Sequence, residues 1–297
     1  MNKNSKGSIL EMDDSPDYSH LSHLELSFKR RAEQIEGYTP VFTPENGLLQ
    51  KLSVGRLRLD ARKGAYIGRT QNQEMVLHIL VGQCTIEAHG PWGNMTFRHL
   101  GERRDVFSGL PTAVILGPST EYTVTPTTSS LDVAVGSIPV ENQGDKKVPV
   151  VIRPADVAVH KIGEGHYFRT VREVLGGDSP SHRLRLGETV NPVGRWSSWP
   201  HHDFDANPKL APEFEEVFLY FTKPGSGWGL QKRNGLFCTL EPVDDVLTVR
   251  NGDAAVMPLG DHPIVSGVDS QVLYVWFYVS PIPKVYARWA EDIGGYA

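Results

Sequence analysis

The chain has 297 residues, with 30 Lys and Arg against 35 Asp and Glu, a formal net charge of −5 and a pI near 6.1. That balance excludes the basic patch of a typical nucleic-acid binder, and no apolar run approaches the ~20 residues of a membrane span. Two cysteines, Cys84 and Cys238, leave no disulfide framework, and both read as small buried residues. The N-terminal MNKNSKGSILEMDDSPDY lacks the apolar core of a secretion signal, so the expected location is the cytoplasm.

Residues 1–37 are Ser-, Asp- and Lys-rich and then basic at Lys29, Arg30 and Arg31, a composition expected of a disordered or loosely docked tail. From Tyr38 onward, short apolar runs are separated by Gly and Pro. Arg56 to Asp60 alternates, with Leu57 and Leu59 on one face. Glu74 to Val81 is a strand candidate ended by Gly82, Ala113 to Leu116 is another, and Leu131 to Val135 alternates as a half-buried strand should. Long amphipathic helical periodicity is absent. Residues 140–149 are polar and read as a linker, after which the strand pattern resumes and runs to Val279.

The two halves resemble each other. Glu74-Met-Val-Leu matches Glu216-Val-Phe-Leu, an offset of 216 − 74 = 142, and Glu121 matches His262, an offset of 262 − 121 = 141. LDVAVGSIP near Leu131 echoes QVLYVWFYVSP near Gln271. A period this long exceeds a solenoid unit. It predicts an all-β chain of two tandem small barrels, over residues 38–139 and 150–297, because closure removes the sheet edges. The first copy carries Glu121 where the second has His262, and no His pair precedes Glu74. The first barrel is therefore expected to be structural and metal-free, with the chemistry in the second.

Two segments of the second half hold the candidate chemistry: Trp196 to Phe221 and Asn251 to Pro263. Period two over Glu216 to Phe221 puts Glu216, Phe218 and Tyr220 on one face and Val217, Leu219 and Phe221 on the other. Both faces are apolar, so Glu216 needs a metal or a cation as partner, unless it sits at a wet strand end. His262 follows a tight turn and alone would read as a surface residue. The pattern Gly252-Asp253…Pro258-Leu259-Gly260-Asp261-His262 is similar to the second metal-binding motif of cupins, which makes it a ligand candidate. His201 and His202 are adjacent, so on a strand at most one enters the lumen, and the other orients a ligand or is solvated. Glu188 could face the lumen, Gln231 and Arg233 share one face of the strand after Trp228, and all three are candidates for binding hydroxyls or a carboxylate. The plainer alternative is that they are ordinary exposed polar residues.

Several ordered stretches carry a family resemblance: residues 100–125 (LGERRDVFSGLPTAVILGPSTEYTVT), 191–202 (NPVGRWSSWPHH), 215–221 (EEVFLYF), 227–233 (GWGLQKR) and 251–263 (NGDAAVMPLGDHP). Over most of residues 38–289 the chain resembles the 5-deoxy-glucuronate isomerase family of inositol catabolism. The resemblance implies a bicupin, two cupin (double-stranded β-helix) barrels in one chain, with a divalent metal (Zn, Mn or Fe) in the C-terminal barrel. The family's first metal motif is His-x-His followed by Glu. Anchoring on WSSWP puts His202 at the first His and Phe204 at the second, and a one-residue slide puts His201 first and Asp203 second. The implied ligand set is His201 or His202, Glu216 and His262, with Asp203 as a substitute.

The implied reaction converts 5-deoxy-glucuronate to 5-dehydro-2-deoxy-gluconate. Glu188, Asp203 and Asp205 are candidate bases, and Arg233 or Arg195 is a candidate partner for the substrate carboxylate. The alternative reading is a bicupin that has lost this role and serves as a metal oxygenase or a sugar-binding protein. The expected partner is a small sugar acid, with neither nucleic acid nor membrane, and a homo-oligomer is left open.

Overall fold

The structure, a computed structural model, describes residues 22–29, 36–140, 147–181, 183–199 and 207–279. Two β-barrels follow one another, each made of a large and a small antiparallel sheet, as the repeat predicted. In the first barrel a six-stranded sheet runs 150–152, 112–116, 73–81, 130–139, 53–60, 37–42 across, and a four-stranded sheet closes it. In the second, a seven-stranded sheet runs 28–29, 254–257, 215–223, 271–279, 184–191, 169–175, 158–162, closed by a five-stranded sheet. Among the described residues no helix is long and apolar enough to cross a membrane.

The registers of the two barrels coincide at a single offset. Met75 pairs with Leu116 and Ser137, and Glu216 pairs with Met257 and Tyr278. The differences are 216 − 75, 257 − 116 and 278 − 137, each 141. Glu74 therefore corresponds to Glu215, and the 142-residue match of Glu74 to Glu216 is one residue out. The apolar run after each glutamate is similar enough to align in either register, and only the ladder decides.

Two short strands pair outside the units expected for them. Phe28 and Lys29 pair with Ala255 and Ala254 of the second barrel, so this part of the N-terminal segment is a docked strand. Val150 to Ile152 pair with Ile115 to Ala113 of the first barrel, although position 150 was expected to open the second. Ala113 and Ala254 are equivalent at the 141 offset, so the exchange is reciprocal.

The large sheets face each other. Alternation sends Val217, Leu219 and Phe221 into the shared seam, where they pack with Val54, Val76, Leu80, Val275 and Phe277 in one buried apolar cluster. At its middle, Gly136 meets Phe277, its own equivalent (277 − 136 = 141). A Cβ on Gly136 would lie 2.4 Å from the Phe277 ring, so only glycine leaves room for that side chain.

Among the described residues, three carboxylates are buried in this seam. Glu215 accepts the backbone N–H groups of Lys51 and Leu52, at 3.0 and 2.8 Å. Its equivalent Glu74 accepts from Ser181 Oγ and from Lys147 Nζ at 3.0 Å. Glu188 corrects the lumen placement expected for it. Leu184 and Leu186 share its face and belong to the seam cluster, whereas Thr189 faces the lumen and accepts from Trp276 Nε1 at 3.2 Å. The Glu188 carboxylate takes Arg103 from the first barrel at 2.5 and 3.0 Å, and Arg172 from the second at 2.9 Å. His78 Nε2 of the first barrel completes the set at 2.9 Å.

Burial by itself would raise the Glu188 pKa, but the Arg103 charge and the hydrogen bonds from His78 and Arg103 outweigh it and hold the group well below the usual carboxylate range. Burial lowers the His78 pKa against the opposing pull of Glu188, so the ring is neutral and donates from Nε2. Its Nδ1 meets no hydrogen-bond partner among the described residues, which suits the bare nitrogen of that tautomer.

Gly136→Ala should therefore cost about 1–3 kcal/mol in chemical denaturation, the range for overpacking, and Phe277→Leu added to it should recover part of the loss. The His78–Glu188 cluster also sets an acid limit. A His with a lowered folded pKa is protonated preferentially in the unfolded chain, and a Glu with a lowered folded pKa loses its contribution as it is protonated. Stability should thus fall as pH drops below about 6.5, the unfolded His value. His78→Gln should flatten the slope of unfolding free energy just below that pH. Glu188→Gln should cost about 3–5 kcal/mol at pH 7, since it strands buried cations.

Candidate metal and sugar site

The lumen of the second barrel is lined by Phe214, Phe218, Tyr220, Met257, Tyr274, Trp276 and Tyr278, all buried. Glu216 enters this aromatic space from the start of strand Glu215–Lys223, because alternation turns it opposite to Glu215. His262 enters from the turn after strand Leu259–Asp261. Within that strand Gly260 faces Gly235: its φ of +133° disfavours a side chain, and a Cβ would lie 2.4 Å from the Asn234 carbonyl oxygen. The His262 Nε2 and a Glu216 carboxylate oxygen stand 3.5 Å apart, both groups nearly sealed from solvent. The Phe218 ring meets the imidazole edge-on, with centroids 5.8 Å apart.

Gln231 holds the His262 turn. Its Nε2 donates to the carbonyl oxygens of His262 at 2.6 Å and of Pro263 at 3.2 Å, and its Oε1 accepts from the Tyr220 hydroxyl at 3.1 Å. Burial raises the Tyr220 pKa well above its ordinary value, so it remains a neutral donor. Gln231 is thus engaged with backbone and Tyr220, where a sugar-hydroxyl contact had been expected. Arg233 is committed as well. Its guanidinium forms a two-pronged pair with Asp245 at 2.9 and 2.6 Å and donates to Ser27 Oγ and the Val256 carbonyl, both at 2.9 Å. It clamps the docked N-terminal strand, which replaces the role in substrate binding expected for it. Arg195 donates to the Gly165 carbonyl at 2.5 Å.

Deeper along the strands, Tyr274 stacks on Phe218 with centroids 4.5 Å apart, and its hydroxyl meets Ser197 Oγ at 2.9 Å and Ser198 Oγ at 3.0 Å. Sequence reasoning passed over this network, although Tyr220 stood on the Glu216 face in the period-two reading. His201, His202, Asp203, Phe204 and Asp205 lie outside the described residues. Among the described residues no three His, Cys, Asp or Glu side chains converge. The donors that do meet, one carboxylate and one imidazole, are of the kinds a divalent metal takes. In the first barrel the equivalent positions hold Met75 and Glu121, and Glu121 is ion-paired to Arg69 at 2.7 Å.

A family model described as the KduI/IolB family matches residues 27–294. The 5-deoxy-glucuronate isomerase of Halalkalibacterium halodurans is 29% identical over 270 residues, covering 88% of this chain and 94% of that protein. The enzyme of the same name from Geobacillus thermodenitrificans is 28% identical over 216 residues, covering 72% and 74%. Among solved structures, an IolB-like protein from Salmonella typhimurium superposes with a TM-score of 0.76 at 23% identity, over 90% of this chain and 98% of the other. Oxalate decarboxylase from Lactobacillus farciminis, solved as a formate complex, gives 0.59 at 10% identity over 88% and 87%. At such identities these structures speak for the two-barrel cupin fold alone.

Gln231→Leu should leave the carbonyls of the His262 turn and the Tyr220 hydroxyl without their partner and cost about 1–3 kcal/mol in thermal or denaturant unfolding. A cost near zero would mean that the turn is held by other contacts.

Proposed function

Because this chain belongs to the KduI/IolB family, we propose that it is an aldose–ketose isomerase of a deoxy-uronic acid, converting 5-deoxy-glucuronate to 5-dehydro-2-deoxy-gluconate. The observation that carries the reading is the Glu216–His262 pair, 3.5 Å apart in the aromatic lumen of the second barrel, in a chain whose relatives bear that enzyme's name.

Glu216, His262 and one imidazole of His201 or His202 would hold a divalent metal (Zn, Mn or Fe). When bound, such an ion would supply Lewis acidity to a carbonyl oxygen and offset developing negative charge. The reaction carries one hydrogen from C2 to C1 and one hydroxyl proton from O2 to O1, so C1 is reduced as C2 is oxidised and no external redox partner is needed. A general base, a carboxylate in this reading, would lift the C2 proton and return it to C1. Glu188 is bound into the seam, which leaves Asp203 and Asp205 as the candidates named for that proton. Phe218, Tyr274, Trp276 and Tyr278 wall the space and keep water from the charged intermediate. Gln231 and Tyr220 keep the His262 turn fixed.

A second reading, a bicupin that binds or oxidises a sugar acid without isomerising it, draws support from the His-x-His motif, which is one imidazole short here. Elemental analysis of the purified protein, with isomerisation and oxygen uptake assayed side by side, separates the two. The expected result is bound divalent metal, ketose product and no oxygen consumption. Glu216→Gln and His262→Ala should each abolish metal retention and turnover while leaving the circular dichroism of the barrels intact. A wild-type protein that holds no metal and forms no ketose would overturn the isomerase assignment.

A further inference from the structure

At one end of the seam the two barrels leave a cleft of about 340 Å³ between them, large enough for a small molecule, whose sites begin near about 300 Å³. The first barrel contributes Arg56, Arg58 and Asp132, which alternation places on the seam side with Val54 and Ala134. It also contributes the loop carrying Asp105 and Phe107. The second barrel contributes Phe221 and Lys223 from the end of strand Glu215–Lys223, and the turn at Asn251. This is not the lumen. Lys223 stands 223 − 216 = 7 positions beyond Glu216 on the opposite face of the strand, about 23 Å away along it.

The lining is short of negative charge. Asp132 takes Arg56 through two contacts, Nε to Oδ1 at 3.0 Å and Nη2 to Oδ2, and meets Arg58 Nε only at 3.5 Å. Burial lowers the Arg58 pKa, and the neighbouring Arg56 charge lowers it further, against the pull of Asp132. Lys223 has no carboxylate partner among the described residues, and its ammonium stands 6.0 Å from the centroid of the Phe107 ring. Asp105 spends Oδ1 on the Phe107 N–H at 2.8 Å, and its Oδ2 has no partner among the described residues. Three cations thus face two carboxylates, an excess of 3 − 2 = 1 positive charge. Asn251 accepts the Thr222 N–H on Oδ1 at 3.3 Å, which leaves its amide nitrogen to donate elsewhere.

We propose that this cleft binds a small hydroxylated monocarboxylate, clasped between the two barrels. One negative charge answers the excess, and the carboxylate pairs with Lys223 in the field of the two guanidiniums. The hydroxyls donate to Asp105 Oδ2 and accept from the Asn251 amide. A purely apolar acid leaves the Asp105 carboxylate unanswered, and a dianion is repelled by Asp105 and Asp132. A ligand held by both barrels stabilises their docking by mass action. The proposal does not depend on the chemistry assigned to Glu216 and His262.

The test is titration calorimetry and thermal unfolding at fixed ionic strength, with D-gluconate, neutral D-sorbitol, butyrate and inorganic phosphate as probes. Gluconate should bind wild type and Glu216→Gln alike and raise the unfolding midpoint of both. Sorbitol, butyrate and phosphate should bind at least about 10-fold more weakly, the lower end for a charged hydrogen bond. Lys223→Met should weaken gluconate about 10- to 100-fold and remove its thermal shift. Asp105→Ala should erase the preference for gluconate over butyrate. Both positions are exposed, so circular dichroism should stay at the wild-type level. The proposal is overturned if gluconate does not bind, if Glu216→Gln removes the only binding seen, or if Lys223→Met leaves it unchanged. Phosphate or butyrate binding as tightly as gluconate would overturn the ligand class, and with it the proposal.

Discussion

The carboxylate of Glu188 gathers Arg103 and His78 from one barrel and Arg172 from the other, all within 3.0 Å. A buried anion with three partners is tolerable only while all stay in place, because each partner removed leaves charge without compensation. The apolar seam around it supplies the driving force for docking, and the ion cluster supplies the register. Glu74 and Glu215 repeat the device at equivalent positions. Strands Leu184–Asn191 and Glu215–Lys223, which line the second lumen, therefore have their opposite faces anchored to the other barrel. Glu215 and Glu216 are neighbours in sequence, and the first being tied to Lys51 and Leu52 is what keeps the second aimed inward.

The lumen has its own division of labour. Its aromatic walls lower the local polarity, so the few polar groups that enter it matter individually. Gln231 serves the backbone that carries His262, and the serines at 197 and 198 serve Tyr274. Arg233 and Asp245 hold the docked strand through Ser27. The Glu216–His262 pair stands among these aromatic walls, 3.5 Å apart. In the first barrel the matching space is filled by aliphatic residues such as Leu77, Ile79 and Leu116. A packed lumen of that kind has a stabilising role.

Much of this was legible in the sequence where a local rule sufficed. Alternation over Glu216 to Phe221 named the correct faces, and the repeat announced two barrels. Pattern fails where two registers look alike. EMVL aligns with EVFL at an offset of 142 about as well as with EEVF at 141, and only strand pairing shows that Glu74 answers to Glu215. Leu-Arg-Leu-Gly-Glu-Thr-Val has the same weakness, with a charge available to either face. Choosing Glu188 for the lumen hid Arg185, three residues away and of opposite parity. Gln231 and Arg233 share one face by alternation, but their partners, Ser27 among them, come from distant segments that no local pattern connects. The N-terminal strand at Phe28 was missed because two residues carry no periodicity.

The reciprocal exchange of Phe28–Lys29 and Val150–Ile152 bears on ancestry. A chain folded as one barrel could complete its sheet only by borrowing the leading strand of a second copy, as exchanged two-fold dimers do. Joining two such copies end to end yields the present connectivity, with each half still lending its leading strand to the other. In a true two-fold dimer, a residue on the axis must face itself: two phenylalanines at the Gly136–Phe277 position would collide, and two glycines would leave a hole. Covalent union lifts that constraint. One half could take the large ring and the other the missing side chain, and by the same freedom one lumen could fill with aliphatic residues while the other kept its glutamate and its histidine.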